Sequence, residues 1–106
     1  MRQKQFFLKS EGDSWFDRNR AKIKSVHYEH DHTAQAITRV LKTFKNKEKI
    51  KILEIGCSSG LLLKWLKKHF NVDIYGIDPS KKAIKESIKN GVRAKVGTAD
   101  NIPFQN

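Results

Sequence analysis

Cysteine is nearly absent: Cys57 is the only one in 106 residues. A lone thiol excludes an intrachain disulfide and fits a reducing compartment, so a cytoplasmic chain is expected. Long apolar runs are missing as well. Phe6-Phe7-Leu8 is too short for a signal-peptide core, and no other stretch approaches a membrane span. Internal repeats and low-complexity linkers are also lacking, and the length allows one small domain. Acidic residues are few: 11 Asp and Glu stand against 22 Lys and Arg, a net charge of +11. Such an excess admits RNA, acidic substrates or an anionic surface as partners. The lysines, however, are spread through every helix-like segment, and arginine does not cluster with aromatic residues. Solvated helix faces are the plainer reading, with RNA as the alternative.

What the chain does contain is organised around Lys51-Ile52-Leu53-Glu54-Ile55-Gly56-Cys57-Ser58-Ser59-Gly60. An apolar run ends in an acid, a glycine-bounded turn follows, and Leu61-Leu62-Leu63-Lys64-Trp65-Leu66 continues with helical character. This reads as strand, tight loop, helix, the opening of a βαβ unit. A second strand, Val72 to Ile77, is followed by Asp78. Pro79-Ser80 then starts a helix whose Ala83, Ile84, Ser87 and Ile88 face inward and which Asn90-Gly91 stops. Val92, Ala94 and Val96 alternate with Arg93 and Lys95, which predicts an edge strand. The isoleucine-rich Ile50–Ile55 run predicts a strand buried on both faces.

Upstream, Asp13-Ser14 are placed to cap a helix beginning near Trp15. Trp15, Phe16, Ile23 and Val26 give it an apolar face, read either as core packing or as a lid over a ligand pocket. His27, His30 and His32 are close in sequence. Histidines at a helix junction are the default reading, because a metal site needs ligands on one face and a defined fourth partner. Asp31 or Thr33 can cap a further helix with the stripe Ala34, Ile37, Val40, Leu41 and Phe44, ending at Lys45-Asn46-Lys47. Residues 1–12 read as weakly structured, with Phe6, Phe7 and Leu8 available to dock. The expected order is α-α-β-α-β-α-β, an α/β fold in which two amino-terminal helices (a cap over 1–46) precede a βαβαβ unit over 47–106 with three parallel strands. Such a sheet is an incomplete doubly wound sheet. The sequence therefore reads as the amino-terminal part of a longer protein, and its first strand is expected to carry an unpaired edge open to self-association.

Spacing narrows the ligand. A dinucleotide fingerprint requires glycine two residues after Gly56 and again three later, where Ser58 and Leu61 stand; a phosphate-cradling loop requires Gly-Lys-Ser/Thr, which does not follow. Asp78 can accept hydrogen bonds from ribose hydroxyls, or else cap the helix after Pro79. The expected ligand therefore has a ribose and no diphosphate. Thr98-Ala99-Asp100-Asn101 offers an acceptor beside backbone donors, which suits an amino-purine edge. Cys57 is expected as a small loop residue; as a nucleophile activated at a helix start it would need a base, and no histidine lies near it in sequence.

In this order and spacing, Ile52-Leu53-Glu54-Ile55-Gly56-Cys57-Ser58-Ser59-Gly60, Tyr75-Gly76-Ile77-Asp78-Pro79-Ser80 and Gly97-Thr98-Ala99-Asp100-Asn101-Ile102-Pro103-Phe104 resemble the first three motifs of class I S-adenosylmethionine-dependent methyltransferases. The resemblance covers residues 50 to 104 and implies a Rossmann-like fold with S-adenosylmethionine as cofactor. It implies that Glu54 serves the methionine-amine region and that the Gly56–Gly60 turn, with Cys57 and Ser58, passes beside the methionine moiety. It further implies Asp78 at the ribose, Pro79 against the adenine face, and Ala99 and Asp100 at the adenine edge. The family's sheet has seven strands, of which three are supplied here, and the motif of the fourth strand, which lines the acceptor pocket, is not in this sequence. No general base is identified. The implied activity is methyl transfer to a small-molecule or glycan acceptor; the alternatives are an rRNA or tRNA methyltransferase and a non-enzymatic nucleotide or nucleic-acid binding module.

Overall fold

A computed structural model describes residues 12–44 and 49–104. The expectations for Phe6, Phe7, Leu8 and Lys45-Asn46-Lys47 fall outside these residues. Helix α1 spans Gly12–Lys24, a short 3-10 turn spans Tyr28–His30, and α2 spans His32–Thr43. Strand β1 (Ile50–Ile55), α3 (Leu61–His69), β2 (Val72–Asp78), α4 (Lys81–Lys89) and β3 (Arg93–Val96) follow in alternation. The strands form one parallel sheet in the order β1-β2-β3, with Ile52 opposite Ile74 and Gly76 opposite Ala94. Parallel connection places the loops after all three strands at one edge of the sheet. This is the α/β architecture expected, and its open parallel sheet with crossover helices is Rossmann-like.

The core lies between the sheet and α3 and α4. Leu63, Leu66, Val72, Ile74, Ile84 and Val92 are buried together, with Ile37 and Leu41 of α2, and Ile50 and Ile52 of β1, packed against them. Strand alternation sends Ile50, Ile52 and Glu54 to that helix-covered side and Lys51, Leu53 and Ile55 to the other. The second set is exposed, Leu53 at 40% and Ile55 at 52%. The expectation of a strand buried on both faces is thus corrected: among the described residues, helices cover one face of the sheet, and β1 pairs only with β2.

Helix ends follow local rules in part. Asp31 caps α2 by accepting from the Ala34 amide at 2.9 Å. Ser80 caps α4 through the Ala83 amide at 3.1 Å, so Pro79 precedes the cap rather than sitting in the first turn. Gly91, at φ +84°, follows Asn90 at the end of α4. Val40, Phe44 and Ile88 are exposed rather than inward, Phe44 standing one residue past the end of α2. Asp13 does not sit ahead of its helix; it lies inside the first turn of α1, and its carboxylate reaches across to α4. There it accepts from Ser80 Oγ at 2.6 Å and from the Lys82 amide at 3.3 Å. Asp17 pairs with Lys82 at 2.6 Å and Arg20 with Glu86 at 3.4 Å, so one stripe of α1 is fastened to α4 by polar contacts. Phe16 is buried beside this stripe, while Trp15 is half exposed.

Candidate functional site

At Gly56 (φ +79°) the chain leaves β1 through a turn bound to its neighbours. The amides of Gly56 and Cys57 both donate to the Ile77 carbonyl, at 2.8 and 2.9 Å. Ser58 adopts φ +52°, an uncommon conformation for a residue with a Cβ, and its amide donates to Asp78 Oδ2 at 2.9 Å. Ser87 Oγ donates to the Ser58 carbonyl at 2.7 Å, and Asn90 Nδ2 to the Ser59 carbonyl at 2.8 Å. Gly60 (φ +77°) caps α3 and is buried; a Cβ there would stand 2.7 Å from Val92 Cγ2 and 3.0 Å from Ser87 Oγ. The loop conformation is therefore imposed by β2, α4 and the start of β3.

The turn forms one wall of a cleft of ≈ 260 Å³. Glu54, Gly56, Cys57, Ser58 and Ser59 contribute that wall, and Leu61 and Leu62 continue it at the start of α3. The opposite wall comes from the amino-terminal segment: Ile23, Val26, Tyr28, Asp31 and Thr33. None of these residues is basic, in a chain with 22 lysines and arginines. Three buried polar atoms of the loop wall, Glu54 Oε1, Ser58 Oγ and Ser59 Oγ, find no hydrogen-bond partner in the chain. Buried polar groups are satisfied in the great majority of folded structures, so three such atoms on residues lining one cleft single it out as the candidate site.

Electrostatics separates the acids. Burial, then the nearby Asp78 carboxylate, pushes the Glu54 carboxyl up to about 7. Glu54 and Asp78 share the helix-covered face and the same sheet edge, since Glu54 lies opposite Gly76 and Asp78 is two residues further along β2. Burial, followed by the charges of Glu54 and Asp31, also raises the Tyr28 hydroxyl above its ordinary value. Each oxygen of Asp78 holds a backbone amide: besides Ser58 on Oδ2, its Oδ1 accepts from the Ser80 amide at 2.9 Å.

The remaining sequence-derived residues lie around this cleft. Cys57 directs its sulfur into the core, where Gly76 makes room for it: a Cβ on Gly76 would stand 2.7 Å from Cys57 Sγ. Burial, opposed in part by the Ser87 hydroxyl, pushes the Cys57 thiol up to about 11. That is the reverse of an activated nucleophile. Pro79 is half-buried after the tip of β2; Ala99 and Asp100 are exposed on the loop after β3, where Asp100 accepts from the Thr98 hydroxyl. The structure therefore brings Glu54, Gly56, Cys57 and Ser58 to one cleft, with Asp78 joined to it through Ser58. Pro79, Ala99 and Asp100 occupy the same sheet edge outside the cleft lining. Sequence reading does not include Tyr28, Asp31, Thr33 or the Ser59 hydroxyl among the site residues; the first three arrive from a remote segment, and no local pattern marks them. The histidines at 27, 30 and 32 are exposed. Among the described residues, no group of three or more His, Cys, Asp or Glu side chains is arranged to hold a metal ion.

An open parallel sheet with a glycine-hinged loop after its first strand and an acid at the tip of its second defines a Rossmann-like ligand-binding domain. A family model described as a methyltransferase domain matches residues 26–106, and the chain belongs to that family. Among solved structures, a chain of the complex between the Haloferax volcanii Trm112 methyltransferase activator and a methyltransferase aligns with a TM-score of 0.64 at 18% identity. The match covers 92% of this chain and 42% of that one. The plantazolicin methyltransferase BpumL, solved with a pentazolic desmethylPZN analog and SAH, aligns with a TM-score of 0.63 at 21% identity, over 96% of this chain and 44% of that one. The chain thus spans less than half the length of these neighbours, which at such identity show the fold. Among curated proteins, none matches significantly.

Proposed function

We propose that this chain is the S-adenosylmethionine-binding portion of a methyltransferase acting on a small-molecule or glycan acceptor. The observation that carries the reading is the cleft beside Gly56, with its three orphaned polar atoms and no basic lining residue. Membership of the methyltransferase domain family supports it, as does a similarly folded protein solved with SAH (S-adenosylhomocysteine) and a pentazolic desmethylPZN analog. When bound, S-adenosylmethionine supplies a methyl group already activated by its sulfonium centre.

The chain's own part is to hold and orient, and positioning alone provides much of such an acceleration. Glu54 faces the cationic methionine end, and the Gly56–Gly60 turn with Cys57 and Ser58 lets the backbone approach it closely. The start of α3 at Leu61 and Leu62 offers amide dipoles to the ligand carboxylate. Asp78 keeps lone pairs beyond its two amide bonds, enough to accept from ribose hydroxyls. Pro79, Ala99 and Asp100, at the same sheet edge, would hold the adenine. Residues 1–46 act in this reading as a cap over the 47–106 unit, and the protein works in the cytoplasm; no helix among the described residues is long and apolar enough to cross a membrane.

Thermal shift with S-adenosylhomocysteine tests the cofactor. A ligand at 100 times its Kd stabilises the folded state by about 2.7 kcal/mol, so a rise of several degrees in Tm is expected. No rise at millimolar ligand overturns the proposal; tighter binding of an oligonucleotide than of S-adenosylhomocysteine replaces it with a nucleic-acid module. The exposed edge of β1, beside exposed Leu53 and Ile55, is in the same reading a site for pairing with a second copy. Sedimentation is expected to show a concentration-dependent dimer. A sharp monomer with strong amide protection over residues 50–55 contradicts it.

A further inference from the structure

We propose that Tyr28 and Asp31, carried by the segment ahead of the sheet, join Glu54 in binding the α-ammonium group of the ligand, and so select ligands that carry an amino-acid tail. This rests on reading the cleft as a site for S-adenosylmethionine. Nothing in the motifs of the βαβ unit assigns a role to either residue.

Tyr28 and Asp31 line the same ≈ 260 Å³ cleft as Glu54, from the opposite wall. They are held there by local structure. Tyr28 opens the 3-10 turn, whose end is fixed by the Asp31 amide donating to the Tyr28 carbonyl at 3.1 Å. Asp31 in turn is locked as the cap of α2, one carboxylate oxygen accepting from the Ala34 amide. Glu54 on one wall and Tyr28 and Asp31 on the other therefore border one hollow, close enough that the Glu54 and Asp31 charges act on the Tyr28 hydroxyl.

Charge then names the partner. The chain is strongly basic, yet this lining contains Glu54 and Asp31 and no cation. Glu54 Oε1 is buried without a partner, and the Ser59 side chain, 2% exposed, likewise has an unpartnered hydroxyl on the same lining. Anionic ligand groups are disfavoured at Glu54, whose own ionisation is already opposed by Asp78. A group bearing several N–H donors and a positive charge pairs with the Glu54 carboxylate where it borders the cleft and offsets its repulsion with Asp78. A primary ammonium has three donors, matching one acceptor each from Glu54, Tyr28 and Asp31. A thioether or a neutral methyl end matches none of them.

Two variants and two ligands separate this role from a structural one. Tyr28→Phe removes the hydroxyl alone. Asp31→Asn removes the charge and keeps the helix cap, since Asn caps as well as Asp. Affinity is measured by calorimetry for S-adenosylhomocysteine, which has the α-ammonium, and for 5′-methylthioadenosine, which lacks it. Each variant is expected to weaken S-adenosylhomocysteine roughly 10-fold, the effect of one charged-group hydrogen bond, and methylthioadenosine less than about 2-fold. Equal losses for both ligands overturn the inference, because the residues then act on the fold or the adenosine end. No loss for either ligand overturns it as well, while leaving the cofactor reading intact. Failure of the unsubstituted protein to bind S-adenosylhomocysteine overturns both readings together.

Discussion

Two acids stand within the last two residues of adjacent strands of one sheet, and the protein treats them oppositely. Asp78 accepts from the Ser58 and Ser80 amides, both at 2.9 Å, so its charge is used in holding the chain. Glu54 has a buried oxygen with no partner, and its carboxyl titrates at about 7. Asp78 ties the loop after β1 to the loop after β2; Glu54 is held in that frame at a cost in stability. A residue kept where it destabilises the free protein is expected where a ligand recovers the loss. In the proposed reading the contrast separates scaffold from binding group inside a single pair of motifs.

The largest effect is expected from breaking the scaffold side. Asp78→Ala leaves two backbone amides without acceptors and releases Ser58 from its left-handed conformation. Chemical denaturation should show a loss of roughly 3 kcal/mol, and S-adenosylhomocysteine binding should fall with it. An unchanged midpoint would place the loop's support elsewhere.

The opposite sign is expected on the binding side. The Glu54 carboxyl has an ordinary value of 4.5 and about 7 in the folded protein. Between these values the folded chain binds the extra proton, so stability falls as pH rises from 4.5 to 7 and the whole penalty stands above 7. Glu54→Gln removes the penalty and should raise stability by about 2 kcal/mol at pH 8, allowing for partial solvation, with no gain at pH 4. The same variant should bind S-adenosylhomocysteine more weakly than the unsubstituted protein does.

The smallest effect is a titration. Ligand affinity should rise roughly tenfold between pH 6 and pH 8 as Glu54 ionises, and the rise should vanish in Glu54→Gln. The groups around Glu54 are Asp78 of β2 and, across the cleft, Tyr28 and Asp31 of the amino-terminal segment; burial and the Asp78 charge move the Glu54 carboxyl into this window. A flat profile in the unsubstituted protein would remove Glu54 from the ligand contact.

Much of this arrangement was legible in the sequence because it is local. Glu54, Gly56 and Gly60 announce a strand, a sharp turn and a helix start through spacing alone, and Asp31, Ser80 and Gly91 mark helix ends by residue type. The errors come where a distant partner decides. Asp13 looks like a cap for its own helix, yet it serves Ser80 and Lys82 on α4, a partnership that capping rules do not contain. The Ile50–Ile55 run looks buried on both sides because composition reports apolarity, not which face a helix covers. Tyr28 and Asp31 escaped for the same reason: what makes them site residues is the chain reversal that folds their segment back over the turn after β1.

The sulfur of Cys57 has a use that follows from its burial. It is the chain's single thiol, 5% exposed, seated on Gly76 and held protonated at neutral pH. An alkylating reagent should react slowly with it while the turn after β1 stays packed on the tip of β2, and faster whenever that packing opens. The modification rate therefore counts those openings without any engineered label, and a ligand that grips the turn should slow the count in proportion to its occupancy.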